Sequence, residues 1–167
     1  MKLKIFVNTW GNYHINGAEG GAWLSLPMGA EELEKRLEKL AEKMEDESPE
    51  WFVNDYETQN GFTVDENDDI LELNKLAEEL DALDESDIEK YSAILEVVTS
   101  DKYDALKYLD SYDFYPDATL EEVAQGYIDE CDDIPDKWRP YIDVKMFARD
   151  MSFEGYHETQ NGVLFCC

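Results

Sequence analysis

The sequence predicts a mixed α+β protein of several lobes: a small antiparallel sheet at the N-terminus, an acidic helical middle and a mixed α/β C-terminal lobe. Three observations carry this. Short strand-like runs separated by Gly- and Asn-containing turns fill the first part of the chain. Leucines at helical spacing fill the middle. The last part joins a helical stripe to an Asn-Gly hairpin. With 167 residues, the chain can form one well-buried domain or two or three small lobes.

The first lobe is expected at 1–61. Leu3-Lys4-Ile5-Phe6-Val7 is its first strand, broken by Asn8. Asn16-Gly17 and Gly20-Gly21 supply turn residues that tolerate positive φ. Ala22-Trp23-Leu24-Ser25-Leu26 is a second strand, stopped by Pro27. Leu33, Leu37, Leu40 and Met44 mark one face of a helix, whose outer face pairs Glu31 with Lys35 and Glu32 with Arg36. A third strand runs from Trp51 to Tyr56, and the Asn60-Gly61 turn closes the lobe.

The second lobe is expected at 62–104 and the third at 105–167. Ile70, Leu73, Leu76, Ala77, Leu80 and Leu83 form one helical stripe. Ser86 and Glu89 have capping-box spacing before Ile88, Tyr91, Ile94, Leu95 and Val98. A helix over Tyr103 to Leu109 follows. Thr119 and Glu122 form another capping box before Val123 to Ile128. A helix around Tyr141 to Met151 precedes a hairpin turning at Asn161-Gly162. The pentapeptide Glu57-Thr58-Gln59-Asn60-Gly61 recurs at 158–162, which reads as two similar turns in different lobes.

Asp and Glu number 41 against 14 Lys and Arg, a net charge of −27 at pH 7. A hydrophobic content of 43% with 13% aromatics excludes a disordered acidic tail. The charge excludes direct binding to nucleic acid or to an anionic membrane, since phosphates would be repelled. No apolar run approaches bilayer length, and Ile5-Phe6-Val7 is too short for a signal-peptide core. The expected location is therefore cytoplasmic, with reduced thiols. The charge is also uneven: residues 61–136 carry 25 acids and 4 bases, whereas residues 137–167 carry four of each. The near-neutral end is where dimer contacts are expected, because the acidic region would repel its own copy.

No catalytic constellation stands out, and neither a cofactor nor a metal is expected. There is no Gly-rich phosphate loop, H-E-x-x-H or G-x-S-x-G. His14 lies in a predicted polar turn and His157 beside a predicted strand; each reads as a surface residue. Asp65-Glu66-Asn67-Asp68-Asp69 places oxygens at alternate positions, but Ile70 and Leu76 stand where a calcium loop needs Gly and Glu. The segment reads instead as an acidic helix N-terminus. Cys131, Cys166 and Cys167 form no C-x-x-C pair and are too few for a closed zinc site.

The carboxylates are what remains. The candidate partner-binding set is Asp65, Glu66, Asp68, Asp69, Glu72, Glu78, Glu79, Asp81, Asp84, Glu85, Asp87, Glu89, Glu96, Asp101, Asp104, Asp110, Asp113, Asp117, Glu121, Glu122, Asp129, Glu130, Asp132 and Asp133. On a helix, acids four apart lie about 5–6 Å from each other, close to phosphate spacing along a nucleic-acid strand. A dimer carries twice 27, or 54, net negative charges, the charge of about 90 Å of duplex at one per 1.7 Å. On composition alone an acidic halophilic, cation-binding or generic solvated surface without a nucleic-acid-related target outweighs a surface that imitates DNA, with metal buffering or an enzyme behind both. Uneven charge moves the balance modestly toward DNA imitation, because halophilic acid coats every lobe.

Four sequence blocks bear on the choice. They are Ile5-Phe6-Val7 with Tyr13 to Gly17 and Gly21-Ala22-Trp23-Leu24-Ser25-Leu26-Pro27; Phe52-Val53-Asn54-Asp55-Tyr56-Glu57; Phe62-Thr63-Val64-Asp65-Glu66 with Ile70-Leu71-Glu72-Leu73-Asn74-Lys75-Leu76; and Tyr141-Ile142-Asp143 with Phe147-Ala148-Arg149-Asp150-Met151 and Asn161-Gly162-Val163-Leu164-Phe165. In this order they resemble the ArdA family of antirestriction proteins across nearly the whole chain. The resemblance implies an elongated, three-lobed, dimeric protein that mimics bent B-form DNA and fills the DNA-binding groove of type I restriction-modification enzymes. It implies no catalytic residues. Asp65, Glu66, Asp68, Asp69 and Glu72 fall within the third block; the later acids match in character. The Cys166-Cys167 ending is not part of the pattern.

Overall fold

The structure is a computed structural model that describes residues 3–59 and 61–166. It is mixed α+β, with seven α-helices and two three-stranded antiparallel sheets among the described residues. The chain forms two compact units, Met1–Asp84 and Glu85–Cys167. The predicted middle segment gives its first helix to one unit and its second to the other.

In the first unit β1 (Leu3–Thr9) runs between β2 (Ala22–Leu26) and β3 (Trp51–Glu57). Alternation sets its inner face: Leu3, Ile5 and Val7 are fully buried. The register against β3 slips between Phe6 and Val7. The strand does not break at Asn8. Asn8 and Thr9 continue it and are buried, because local bonds satisfy their side chains. Asn8 Oδ1 accepts from Asn12 Nδ2 at 2.7 Å, and Thr9 Oγ1 accepts from the Asn12 N–H at 3.1 Å. The second bond caps α1 (Trp10–Asn16), a helix where the sequence predicts only turns. His14 therefore sits in a helix, with Nδ1 2.7 Å from the Trp10 carbonyl oxygen. Trp10 stacks on Phe52 with ring centroids 4.2 Å apart.

Two helices complete this unit. In α2 (Ala30–Lys43) both predicted ion pairs form: Lys35–Glu31 at 3.7 Å and Arg36–Glu32 at 2.9 Å. In α3 (Ile70–Ala82) the predicted stripe is the buried face, with Leu73, Leu76, Ala77 and Leu80 at 2% exposure or less. Asn74, also buried, fastens this helix. Its Oδ1 accepts from the Met28 N–H and its Nδ2 donates to the Met28 carbonyl, both at 2.9 Å. The start of β3 is tied to the acidic loop by Val53 N–H donating to the Glu66 carbonyl at 2.9 Å. The Asn60-Gly61 turn cannot be placed, because Asn60 lies outside the described residues.

The second unit begins with α4 (Glu85–Val97) and α5 (Lys102–Lys107). Because α4 starts at Glu85, Ser86 lies in its first turn and not at the predicted cap. Tyr91 is fully buried and donates to the Lys102 carbonyl at 3.0 Å, joining α4 to α5. A short 3₁₀ turn, Leu109–Ser111, leads into β4 (Tyr112–Pro116), a strand the sequence did not announce. Next come α6 (Leu120–Glu130), a 3₁₀ turn at Arg139–Tyr141 and α7 (Val144–Met151). Tyr141 thus precedes the helix predicted to hold it; Asp143 caps α7 instead. The predicted hairpin is β5 (Tyr156–Thr159) and β6 (Gly162–Cys166), in sheet order β4-β6-β5. Leu120, Ala124, Ala148, Met151 and Val163 form the core between α6, α7 and this sheet. Arg139 holds the connection after α6 by donating to the carbonyls of Asp129, Cys131 and Ile134.

Candidate acidic interface

All 24 predicted carboxylates face solvent to some degree. Twenty are exposed, and Asp68, Asp87, Glu89 and Asp104 are half-buried. Burial of the apolar stripes dictates this, since ionised carboxylates stay hydrated unless paired. In the first unit the set comprises the 65–69 loop and the outer face of α3 with Asp84. In the second it comprises α4, the segments around α5 and β4, and α6 with the loop that follows.

The carboxylates are not equivalent. Asp69 is the N-cap of α3, accepting from the Leu71 and Glu72 N–H groups at 2.8 and 3.0 Å. Asp101 caps α5 by accepting from Tyr103 and Asp104 N–H. Those bonds, led by the one from Asp104, hold its carboxyl below the usual aspartate range. Glu122 completes the predicted capping box with Thr119: it accepts from the Thr119 N–H and hydroxyl at 2.8 and 2.9 Å, and its own N–H donates back at 3.3 Å. The Thr119 N–H, then the hydroxyl, lowers its pKa. Glu96 accepts from the Gln160 N–H at 3.1 Å, linking α4 to the hairpin turn. Such groups are engaged within the fold. By contrast, the side chains of Asp65, Glu66, Glu79, Glu85, Glu89, Asp110, Asp113, Asp117, Glu130, Asp132 and Asp133 make no hydrogen bond or ion pair among the described residues.

The few cations offset little. Lys75 pairs with Glu72 at 2.6 Å and Lys107 with Asp104 at 2.8 Å. Each lysine is held above its ordinary pKa by that carboxylate. Lys102 is buried at 7% exposure, its ammonium 5.2 Å from the Tyr103 ring centre. The surface potential over 61–136 is therefore strongly negative at neutral pH.

A family model described as antirestriction protein (ArdA) matches residues 5–165. The chain belongs to the ArdA antirestriction family. A search of curated proteins returns no match. Membership accounts for the order of the four blocks. For this ArdA-family chain, no helix of the described residues is long and apolar enough to cross a membrane. Among those residues no group of three or more His, Cys, Asp or Glu is placed to hold a metal ion.

The predicted set begins at Asp65 and omits the acids of α2. Glu34, Glu38 and Glu42 repeat at steps of four, a signal visible in the sequence, and they line a groove on the first unit with Glu45, Asp46 and Glu47.

Proposed function

We propose that this protein acts in antirestriction by imitating B-form DNA, entering as a homodimer the DNA-binding groove formed by the DNA-binding subunits of a type I restriction-modification enzyme. One observation supports the reading most: a segment with 25 acids and 4 bases folds with none of its acids buried. Stability alone disfavours such a surface, because like charges repel within each helix. A basic channel evolved for phosphates offsets that repulsion. Association releases counterions held by the channel, so it weakens steeply with salt. In this role the protein binds no nucleic acid itself and performs no chemistry.

The dimer contact proposed for residues 137–167 rests on charge balance and on exposed apolar side chains. Tyr141 and Phe153 are 83% and 81% exposed, and Trp138 and Met146 are more than half exposed. Sedimentation tests it: paired Tyr141→Ser and Phe153→Ser changes should yield monomers, and charge reversal within 62–104 should not. The opposite pattern moves the interface.

Competition tests the mechanism. Labelled duplex bound to a type I enzyme should be displaced at a stoichiometric ratio of dimer to enzyme, less so as salt rises. DNA that stays bound under excess protein at low salt defeats the proposal.

A further inference from the structure

We infer that the groove beside α2 in the first unit docks a basic amphipathic segment of a partner protein, a helix with one apolar face and Lys or Arg recurring along its flank. The groove is a largely open trough of about 720 Å³, a shape suited to an elongated segment and not to an enclosed small molecule. Its floor is apolar, made by Leu37, Ala41, Pro49, Trp51 and Leu71. Leu71 lies in the first turn of α3, off its buried face, and at 42% exposure it leaves an apolar side chain on the groove. The rim is entirely anionic: Glu34, Glu38, Glu42, Glu45, Asp46 and Glu47.

Charge complementarity selects the occupant. Of the four cations of α2, Lys35, Arg36 and Lys39 line a different cleft with Glu31 and Glu32, and Lys43 lines neither cleft. Lys35 and Arg36 are paired there. Glu34, Glu38, Glu42, Glu45 and Glu47 make no ion pair among the described residues. Glu34, Glu38 and Glu42 succeed one another by about 6 Å along the axis, the same step at which a facing helix repeats its own i,i+4 side chains. Glu45 adds a local anomaly. It occupies a left-handed position, φ 55°, in a helix-ending turn where Asp46 N–H donates to Ala41 and Glu45 N–H to Glu42. Glycine is the residue suited to that position. A polyamine satisfies the rim but leaves the floor unfilled. Duplex DNA has no apolar trough for the groove to imitate, so this contact is separate from the phosphate mimicry proposed above.

The test needs no restriction enzyme. A fluorescent peptide of about 16 residues, Leu and Lys in amphipathic helical order, is titrated against the full chain by anisotropy. Controls are the same composition scrambled and an oligolysine of equal charge. The ordered peptide should bind about tenfold tighter than either control, and the Glu38→Lys/Glu42→Lys pair should remove about tenfold of its affinity. The equal charge change Glu130→Lys/Asp132→Lys, in the other unit, should cost about threefold or less. Leu71→Ser should weaken the ordered peptide and leave oligolysine unchanged. Glu45→Gly should weaken the ordered peptide while raising the melting temperature, which separates lost docking from lost folding. Equal affinity for ordered and scrambled peptides overturns the inference. So does equal sensitivity to charge reversal in the two units, which leaves only general attraction to an acidic protein.

Discussion

Replacing Asn74 by leucine tests how the acidic helix α3 is fixed. The side chain is 4% exposed, and its amide makes a two-way bond with the Met28 main chain, both arms at 2.9 Å. Leucine keeps the branched four-atom shape and is the bulkier side chain, so the loss is not a cavity effect. Each hydrogen bond contributes about 1 kcal/mol net, and each stranded buried group costs about 1–3 kcal/mol. Met28 is half-buried, so water relieves part of that cost. The expected destabilisation is about 3 kcal/mol. Urea denaturation of Asn74→Leu against the parent, followed by circular dichroism, measures it with the slope held constant. Asn74→Asp sharpens the test. It keeps an acceptor for the Met28 N–H but sets a carboxylate oxygen against the Met28 carbonyl. That variant should lose stability at pH 7 and recover part of it on acidification, since the protonated acid can again donate. A loss below about 1 kcal/mol for Asn74→Leu, at unchanged slope, refutes the reasoning.

Two further outcomes follow from bonds already described. Because the Glu122 pKa is lowered in the fold, its stabilising share is full above the unfolded value of about 4.3 and disappears as pH falls through the lower folded value. Glu122→Gln keeps the capping geometry but cannot ionise, so its melting temperature should depend less on pH below about 4 than the parent's; identical pH profiles contradict the cap assignment. Tyr91→Phe removes the bond to the Lys102 carbonyl from a fully buried site and should cost about 1–2 kcal/mol by denaturant titration, with near-zero loss counting against it.

Much of this molecule was legible because single rules dominated locally. A short apolar run marked the strand over Leu3 to Val7, and helical spacing marked α2 and α3, since burial of one face governs each. The Thr119–Glu122 box was legible because capping is confined to four consecutive residues. The α1 helix was not: Trp10–Asn16 lacks an apolar stripe and owes its place to the Asn8, Thr9 and Asn12 bonds and to Trp10 on Phe52. Strand β4 was hidden by Asp113 and Pro116 and forms because β6, some fifty residues later, pairs with it. Within the acidic surface, exposure was predictable from charge. Which acids serve the fold was not, because Glu96 meets Gln160 only after the hairpin packs. The α2 groove needed the floor residues from three separate segments.

Among the described residues, three strands per sheet leave each sheet with two edge strands, β2 and β3 in one and β4 and β5 in the other, although the Glu66 carbonyl occupies the Val53 N–H on β3. Such borders invite strand-by-strand addition of neighbouring molecules. Asp55 and Glu57 on β3, Asp113 with Pro116 on β4, and Glu158 on β5 discourage it locally. The abundant negative charge discourages it at long range, making the protein its own colloidal stabiliser. That protection vanishes near the isoelectric point of about 4.1, where precipitation and sheet growth become the hazard for anyone handling it in acid.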